Sequence, residues 1–347
     1  MNHRKWNITV LCVSFFMLLG TLTFNFIIDP FLHYRAGLGD FNYPLTEERY
    51  INDGMQRYYE YQMLITGTSM SWNFKPSVFE DMFGKKTLKT AYSGAYFHEL
   101  AQNMEHAISH NSDLELIVCS LDPNIMVMDP YSEAYEGTPV YLYDYNPFND
   151  VSYLLNKDVV TKSIAVINYT RAGNVTVSRD DYGRFDLYMP SGRDAVLGSY
   201  VRQPMMDAGI TFDEEDRKKV YDNITLNFIE LAREKPEVTF IFYIPPYSYC
   251  YWDAMVRTGQ LQYVLDVEEY AVSLLLEEEN IKIYAFDDMT DVTTDLDNYT
   301  DTLHYVSDVC NIIAEKIYKD EGRLTVQNYS EYFAKIGRIY SQYDYDL

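Results

Sequence analysis

Gln62-Met63-Leu64-Ile65-Thr66-Gly67-Thr68-Ser69 is the stretch on which the reading of this chain turns. An apolar run of strand length stops at a glycine, and a serine follows on the turn. Downstream, Pro76 to Phe83 reads as a helix with proline in its first turn, Thr87 to Tyr92 as a second strand and His98 to His110 as a second helix. Leu114 to Leu121 is a third strand whose aliphatic content suits burial on both faces. Strand, helix, strand, helix, strand is the pattern of a parallel sheet covered on its two sides.

The alternation pauses from about Asp129 to Phe212. This stretch is rich in Tyr, Asp, Gly and Pro, with short apolar runs such as Ser163-Ile164-Ala165-Val166-Ile167, and reads as an insertion. The pattern resumes with a helix opening on acids, Asp213 to Lys235, and the strand Val238 to Ile244. The helix Leu261 to Asn280, a fifth strand Ile281 to Phe286 and a closing helix Tyr305 to Tyr318 complete it. The tail from Leu324 onward is polar and tyrosine-rich and carries no readable signal. The expected architecture is a doubly wound α/β domain over 51–321 with a five-stranded parallel sheet, followed by a tail over 322–347.

Strands of such a sheet all point their C-terminal ends to one edge, and ligands bind outside that edge. Ser69 follows the first strand, Gly94 the second, Asn124 the third, Pro245-Pro246 the fourth, and Asp301 and His304 lie beyond the fifth. A serine hydroxyl attacks a carbonyl only when a base takes its proton. His304 is the sole imidazole after residue 110, and Asp301, three residues before it, is placed to hold the second ring nitrogen. Gly94 would add a backbone N–H and Asn124 a side-chain amide to an oxyanion site. The candidate set is therefore catalytic Ser69, Asp301 and His304, with Gly94 and Asn124 as oxyanion donors.

Trp6 to Ile28 contains no charged side chain and spans roughly 34 Å as a helix, against about 30 Å for a bilayer core. Arg4 and Lys5 precede it and Asp29 follows, so 1–5 reads as cytoplasmic, 6–28 as an uncleaved signal anchor, 29–50 as juxtamembrane and the remainder as extracytoplasmic. A cleaved signal peptide fits less well, because bulky residues close the run. The net charge of −24 excludes a nucleic-acid partner. Cys12 lies in the apolar run and Cys119 in a strand, leaving Cys250 and Cys310 as the candidates for an exposed pair, with free buried thiols the favoured reading; no CxxC spacing exists, so no zinc or redox motif is present. Asp287, Asp288, Asp291, Asp295 and Asp297 lack the glycine and closing glutamate of a calcium loop and read as solvated acids. No metal and no cofactor is expected. Tyr131, Tyr135, Tyr141, Tyr143 and Tyr145 offer flat faces for sugar rings or for packing at the sheet edge. Glycosylation sequons beyond the apolar run begin at Asn168, Asn174, Asn223, Asn298 and Asn328; a glycan on Asn298 would crowd His304, which favours a bacterial chain where these are accidents.

At Gly67-Thr68-Ser69 and Asp301-Thr302-Leu303-His304 the chain resembles the SGNH (GDSL-like) hydrolase superfamily. The resemblance implies a flavodoxin-like fold and a serine esterase triad. More narrowly, the chain looks like the membrane-anchored DltD- and AlgJ-like group that partners MBOAT acyltransferases in envelope acylation. The anchor with Asp29-Pro30-Phe31, the run from Gly67 to Pro76, and Pro245-Pro246-Tyr247-Ser248 carry that look, over roughly 29 to 320. The likeness departs at Ser93-Gly94-Ala95, a loose second block, and at Leu121-Asp122-Pro123-Asn124, which replaces the third. The resemblance implies an acyl-Ser69 intermediate, an envelope glycan or polymer as substrate, and an MBOAT partner. The competing readings are a non-catalytic scaffold subunit, in which Ser69 and Asp301 merely cap helices, and a stand-alone carbohydrate esterase.

Overall fold

The computed structural model describes residues 3–135, 139–144, 146–206 and 209–347, so Tyr145 lies outside the described residues. The chain forms two compact units, one of Met1–Tyr59 with Gly137–Ser178 and one of Glu60–Glu136 with Arg179–Leu347. Of the stretch read as one insertion, 129–212, the middle portion Gly137–Ser178 belongs to the first unit and the remainder to the second.

The larger unit holds a mixed six-stranded sheet in the order β2-β1-β3-β4-β5-β6. The strands are β1 Met63–Thr66, β2 Thr87–Lys89, β3 Leu116–Ser120, β4 Thr239–Ile244, β5 Ile281–Ala285 and β6 Arg323–Leu324. The first five pair in parallel as expected. A sixth, β6, runs antiparallel along β5 and corrects the expected count of five. Two residues cannot show an alternation of period two, so no sequence pattern marks them. The tail that follows is a helix, Tyr329–Gln342, which buries Phe333, Ile336 and Tyr340 along one face.

β1, β3 and β4 are apolar without alternation because both faces are covered: Met63, Leu64 and Ile65 have no exposed surface. Helix Pro76–Phe83 starts on proline and stops at Gly84, whose left-handed backbone (φ 65°) returns its N–H to Glu80 O. Helix Glu214–Ile224 is capped by Asp213, whose carboxylate accepts the N–H groups of Glu215 and Asp216, with further acids in the first turn. From β1 the chain crosses to β2 on one side, and from β3 it winds to β4 and β5 on the other. The switch point lies between the C-terminal ends of β1 and β3, where Ser69 and Asp122 follow.

The expectation of free buried thiols holds for Cys119, Cys250 and Cys310, and the alternative of an exposed Cys250–Cys310 pair does not. Cys250 opens a helix, Tyr249–Arg257, that the sequence reading passed over, and its apolar neighbours bury it.

Two carboxyl groups lie fully buried near the C-terminal rim, Glu268 on helix Leu261–Leu275 and Asp287 just after β5. The Glu268 carboxyl has no hydrogen-bond partner among the described residues. Burial, with the nearby Asp287 and Asp122, pushes Glu268 well above the usual carboxylate range. The folded state therefore holds a proton that the unfolded chain releases near its reference value of 4.5. Stability is expected to fall as pH rises above that value, by up to about 1.4 kcal/mol per unit for this proton. Denaturant melts at about pH 5 and about pH 8 should show a smaller loss in Glu268→Gln than in the parent. Equal losses in both would show that Glu268 does not bind that proton.

Candidate active site

Ser69, His304 and Asp301 are brought together although Ser69 and His304 are 235 positions apart in sequence. Ser69 Oγ lies 2.7 Å from His304 Nε2. His304 Nδ1 lies 2.7 Å from Asp301 Oδ2. Burial disfavours charge on Asp301, but the bond from the His304 ring and the N–H groups of His304 and Leu303 outweigh it and hold the carboxyl below the usual range. An ionised Asp301 needs a donor, so Nδ1 carries the imidazole proton and Nε2 is left to accept from Ser69.

The turn that presents Ser69 is dictated by its neighbours. Gly67 has φ 130°, and a Cβ there would stand 2.4 Å from Ser71 Oγ and 2.5 Å from Ser120 Oγ, so only glycine fits. Thr68, not Ser69, caps the following short turn, Ser69–Ser71, accepting the Met70 N–H at 3.3 Å. The Ser69 hydroxyl is thereby left to His304. Trp72 Nε1 donates to Ser93 Oγ at 3.0 Å and ties this turn to the Ser93-Gly94 loop after β2. Gly94 is exposed in the left-handed region, φ 61°. Neither the Ser69 nor the Gly94 backbone N–H donates a hydrogen bond among the described residues. Asn124 is exposed in the turn Pro123–Ile125, and its amide makes no hydrogen bond among the described residues.

His304 is held by a closed loop. Thr300 N–H donates to His304 O at 2.9 Å, Tyr299 pairs with Tyr305, and Asp301 Oδ1 accepts from both Leu303 N and His304 N at 2.8 Å. The Pro245-Pro246-Tyr247-Ser248 segment supports this loop: Tyr299 donates its hydroxyl to Pro246 O at 2.8 Å and Ser248 donates to Thr302 O at 2.6 Å. Asn73 spans the two halves, donating to Tyr305 O at 2.7 Å and accepting from Phe185 N and Asp186 N. Tyr305 OH also donates to Met70 O at 2.9 Å. Buried tyrosine hydroxyls thus fix the distance between Ser69 and His304, which gives part of the tyrosine abundance a physical role.

Four residues outside the candidate set shape the site. Asp122 is fully buried; its carboxylate accepts from Ser120 Oγ (2.8 Å), Thr68 Oγ1 (3.0 Å) and Tyr247 OH (2.8 Å). Burial lifts it above the usual range despite these donors. Lys89, the last residue of β2, is also buried and donates to the carbonyls of Trp72 (2.6 Å) and Phe74 (2.7 Å), and burial lowers it to about 7. Phe185 sets its ring edge-on to the His304 imidazole, centroids 5.2 Å apart. Arg184, two-pronged on Asp186 and bonded to Ser307, anchors the Phe185 segment to the start of helix Ser307–Tyr318. Asp122 and Lys89 could have been suspected as charged residues inside or abutting apolar strands. Nothing in the sequence marks Phe185, which comes from the irregular stretch.

Asp122→Ala would strand three buried hydroxyls beneath the Ser69 turn. The expected cost is roughly 2–4 kcal/mol in stability, and about 10²-fold in turnover from a displaced nucleophile. Urea melts and single-turnover kinetics on the same preparation check both; turnover at the parent's level would remove Asp122 from the positioning of Ser69.

No family model and no curated protein sequence matches the chain. Among solved structures, it is similar to a Streptococcus pneumonia protein provisionally assigned as a platelet activating factor. The two share 13% identity with TM-score 0.39, over 80% of this chain and 92% of that one. It is also similar to a Bacteroides fragilis protein provisionally assigned as an acylhydrolase, at 10% identity and TM-score 0.36, over 78% and 87% of the respective chains. At these scores the functional reading rests on the geometry of the site.

Proposed function

We propose that this chain is a membrane-anchored, extracytoplasmic serine esterase or O-acyltransferase. It forms an acyl-Ser69 intermediate and acts on a cell-envelope glycan or polymer, with a multi-spanning acyltransferase of the MBOAT type as partner. The observation that carries the reading is the unbroken relay from Ser69 Oγ through His304 to Asp301, with 2.7 Å at each junction. In the first half-reaction Ser69 Oγ attacks the acyl carbonyl carbon while His304 Nε2 takes the hydroxyl proton. The developing oxyanion is met by the free N–H groups of Ser69 and Gly94, with Asn124 as a third donor, each worth roughly 10²–10³ in rate. His304 returns the proton to the leaving oxygen as the carbonyl re-forms. In the second half, His304 Nε2 takes the proton of a glycan hydroxyl or a water, whose oxygen attacks the acyl carbonyl, and returns that proton to Ser69 Oγ as the Ser69–acyl bond breaks.

Helix His3–Ile28 is long and apolar enough to cross a membrane. Arg4 and Lys5 at its start support a cytoplasmic N-terminus and an external catalytic unit. The test is made in cells: anchored Ser69→Ala protein at normal level is expected to abolish acylation of the envelope polymer. Full acylation with that variant would make the protein an adaptor.

A further inference from the structure

The apolar helix His3–Ile28 is not free along its length. Thr21, Leu22 and Phe24 are half-buried and Asn25 and Ile28 fully buried, because helices Val151–Leu154 and Lys157–Arg171 pack on its last two turns. Asn25 fixes the junction: its amide donates to Leu154 O at 2.9 Å and accepts from Ser163 Oγ at 3.0 Å. A buried asparagine bonded through both its amide nitrogen and its oxygen sets register as well as contact. Ser163 meets the helix at Asn25, whereas Thr170 meets Asn42 beyond the helix end. Leu154 and Ser163 both meet the helix at Asn25, so the end of Val151–Leu154 and the first half of Lys157–Arg171 lie against the clasped turns.

Length then becomes decisive. The uncharged and unclasped stretch, Trp6 to Gly20, is about 15 residues and roughly 22 Å, well short of a hydrocarbon core of about 30 Å. The helix can cross only if its clasped turns enter the bilayer, and Val151–Leu154 with the start of Lys157–Arg171 must follow them. Their outward side chains suit that position. Phe148 is 89% exposed and Val151 50%, with Leu155 one turn further on and Phe26 and Ile27 exposed on the anchor itself. Tyr34 lays its ring on Phe26 (centroids 4.9 Å) and the Arg35 guanidinium sits 4.5 Å over the same ring. An aromatic with a polar tip and a cation at the end of an apolar helix are the side chains that favour the membrane–water boundary. Exposed Lys157 and Asp158 limit the depth to the headgroup level.

We infer that residues 148–158 form a collar seated in the phospholipid headgroup region around the anchor, so that helix and collar bind the bilayer as one rigid piece. The inference rests on reading His3–Ile28 as a membrane anchor. It is tested with the full chain in phosphatidylcholine vesicles, carrying single nitroxide labels in a Cys12→Ala background whose other cysteines are buried. Labels go at Leu11→Cys on the anchor, at Phe148→Cys and Val151→Cys on the collar, and at Val175→Cys. Val175 is 76% exposed and follows the far end of Lys157–Arg171. Collisions with a water-soluble nickel complex are expected to drop several-fold at 148 and 151 relative to 175, with oxygen collisions raised. If position 11 reads as hydrocarbon while 148 and 151 match 175, the collar is overturned and the anchor stands. If position 11 is itself as accessible as 175, the anchor fails and the collar with it.

Discussion

Ser69→Ala protein is expected to turn over acyl esters about 10⁶-fold more slowly than the parent, and His304→Ala protein by a similar factor. The two losses should be equal, and the double variant should be no worse than either alone. A nucleophile whose proton has no acceptor and a base with nothing to deprotonate fail in the same way. The geometry is the reason for expecting a unit: the Ser69 hydroxyl has His304 as its partner, and the cap role falls to Thr68. Both variants should fold, because Ser69 and His304 are only partly buried and the loops carrying them are held by Asn73, Tyr299 and Tyr305. Near-ultraviolet circular dichroism alongside the kinetics separates lost chemistry from lost structure. Additive losses in the double variant would show that the residues act separately.

The second large effect is at Asp301. Asp301→Asn keeps an oxygen for the Leu303 and His304 N–H groups, so the closed loop survives. Its amide nitrogen, however, faces Nδ1 as a donor, which forces the imidazole proton onto Nε2 and leaves Ser69 without an acceptor. Turnover should fall by roughly 10⁴-fold with KM little changed. Asp301→Ala should be less stable as well as slow, since it also releases two backbone donors. An Asp301→Asn enzyme within about tenfold of the parent would mean that the tautomer is set by another group.

Much of the fold was legible in the sequence because its strands are apolar on both faces and its helices carry clear caps. Pro76–Phe83 agrees residue for residue with the expected helix, and the five parallel strands lie where the alternation put them. What was missed has a local cause in each case. The pair Arg323–Leu324 is too short to show a period. The run Ser163–Ile167, which looked like a short apolar run, is the middle of a helix that packs on helix His3–Ile28. At the site, Ser69, Asp301 and His304 could be named because their chemistry has a sequence spacing. Asp122 and Lys89 show in the sequence only as charges inside or abutting apolar strands and Phe185 not at all, since what matters about them is the atoms they touch across the fold. The third block drew attention to Asn124, yet Asp122 is the residue of that block turned inward beneath the Ser69 turn.

The central claim is that Ser69 is a nucleophile activated by His304. Its most direct test is covalent: the full-length protein is treated with an alkyl fluorophosphonate and the adduct located by peptide mass spectrometry. The account predicts one phosphonyl group per chain, on Ser69, formed at a rate that collapses in His304→Ala protein. A folded parent protein that gains no adduct, or gains one elsewhere while Ser69 stays unmodified, would contradict it.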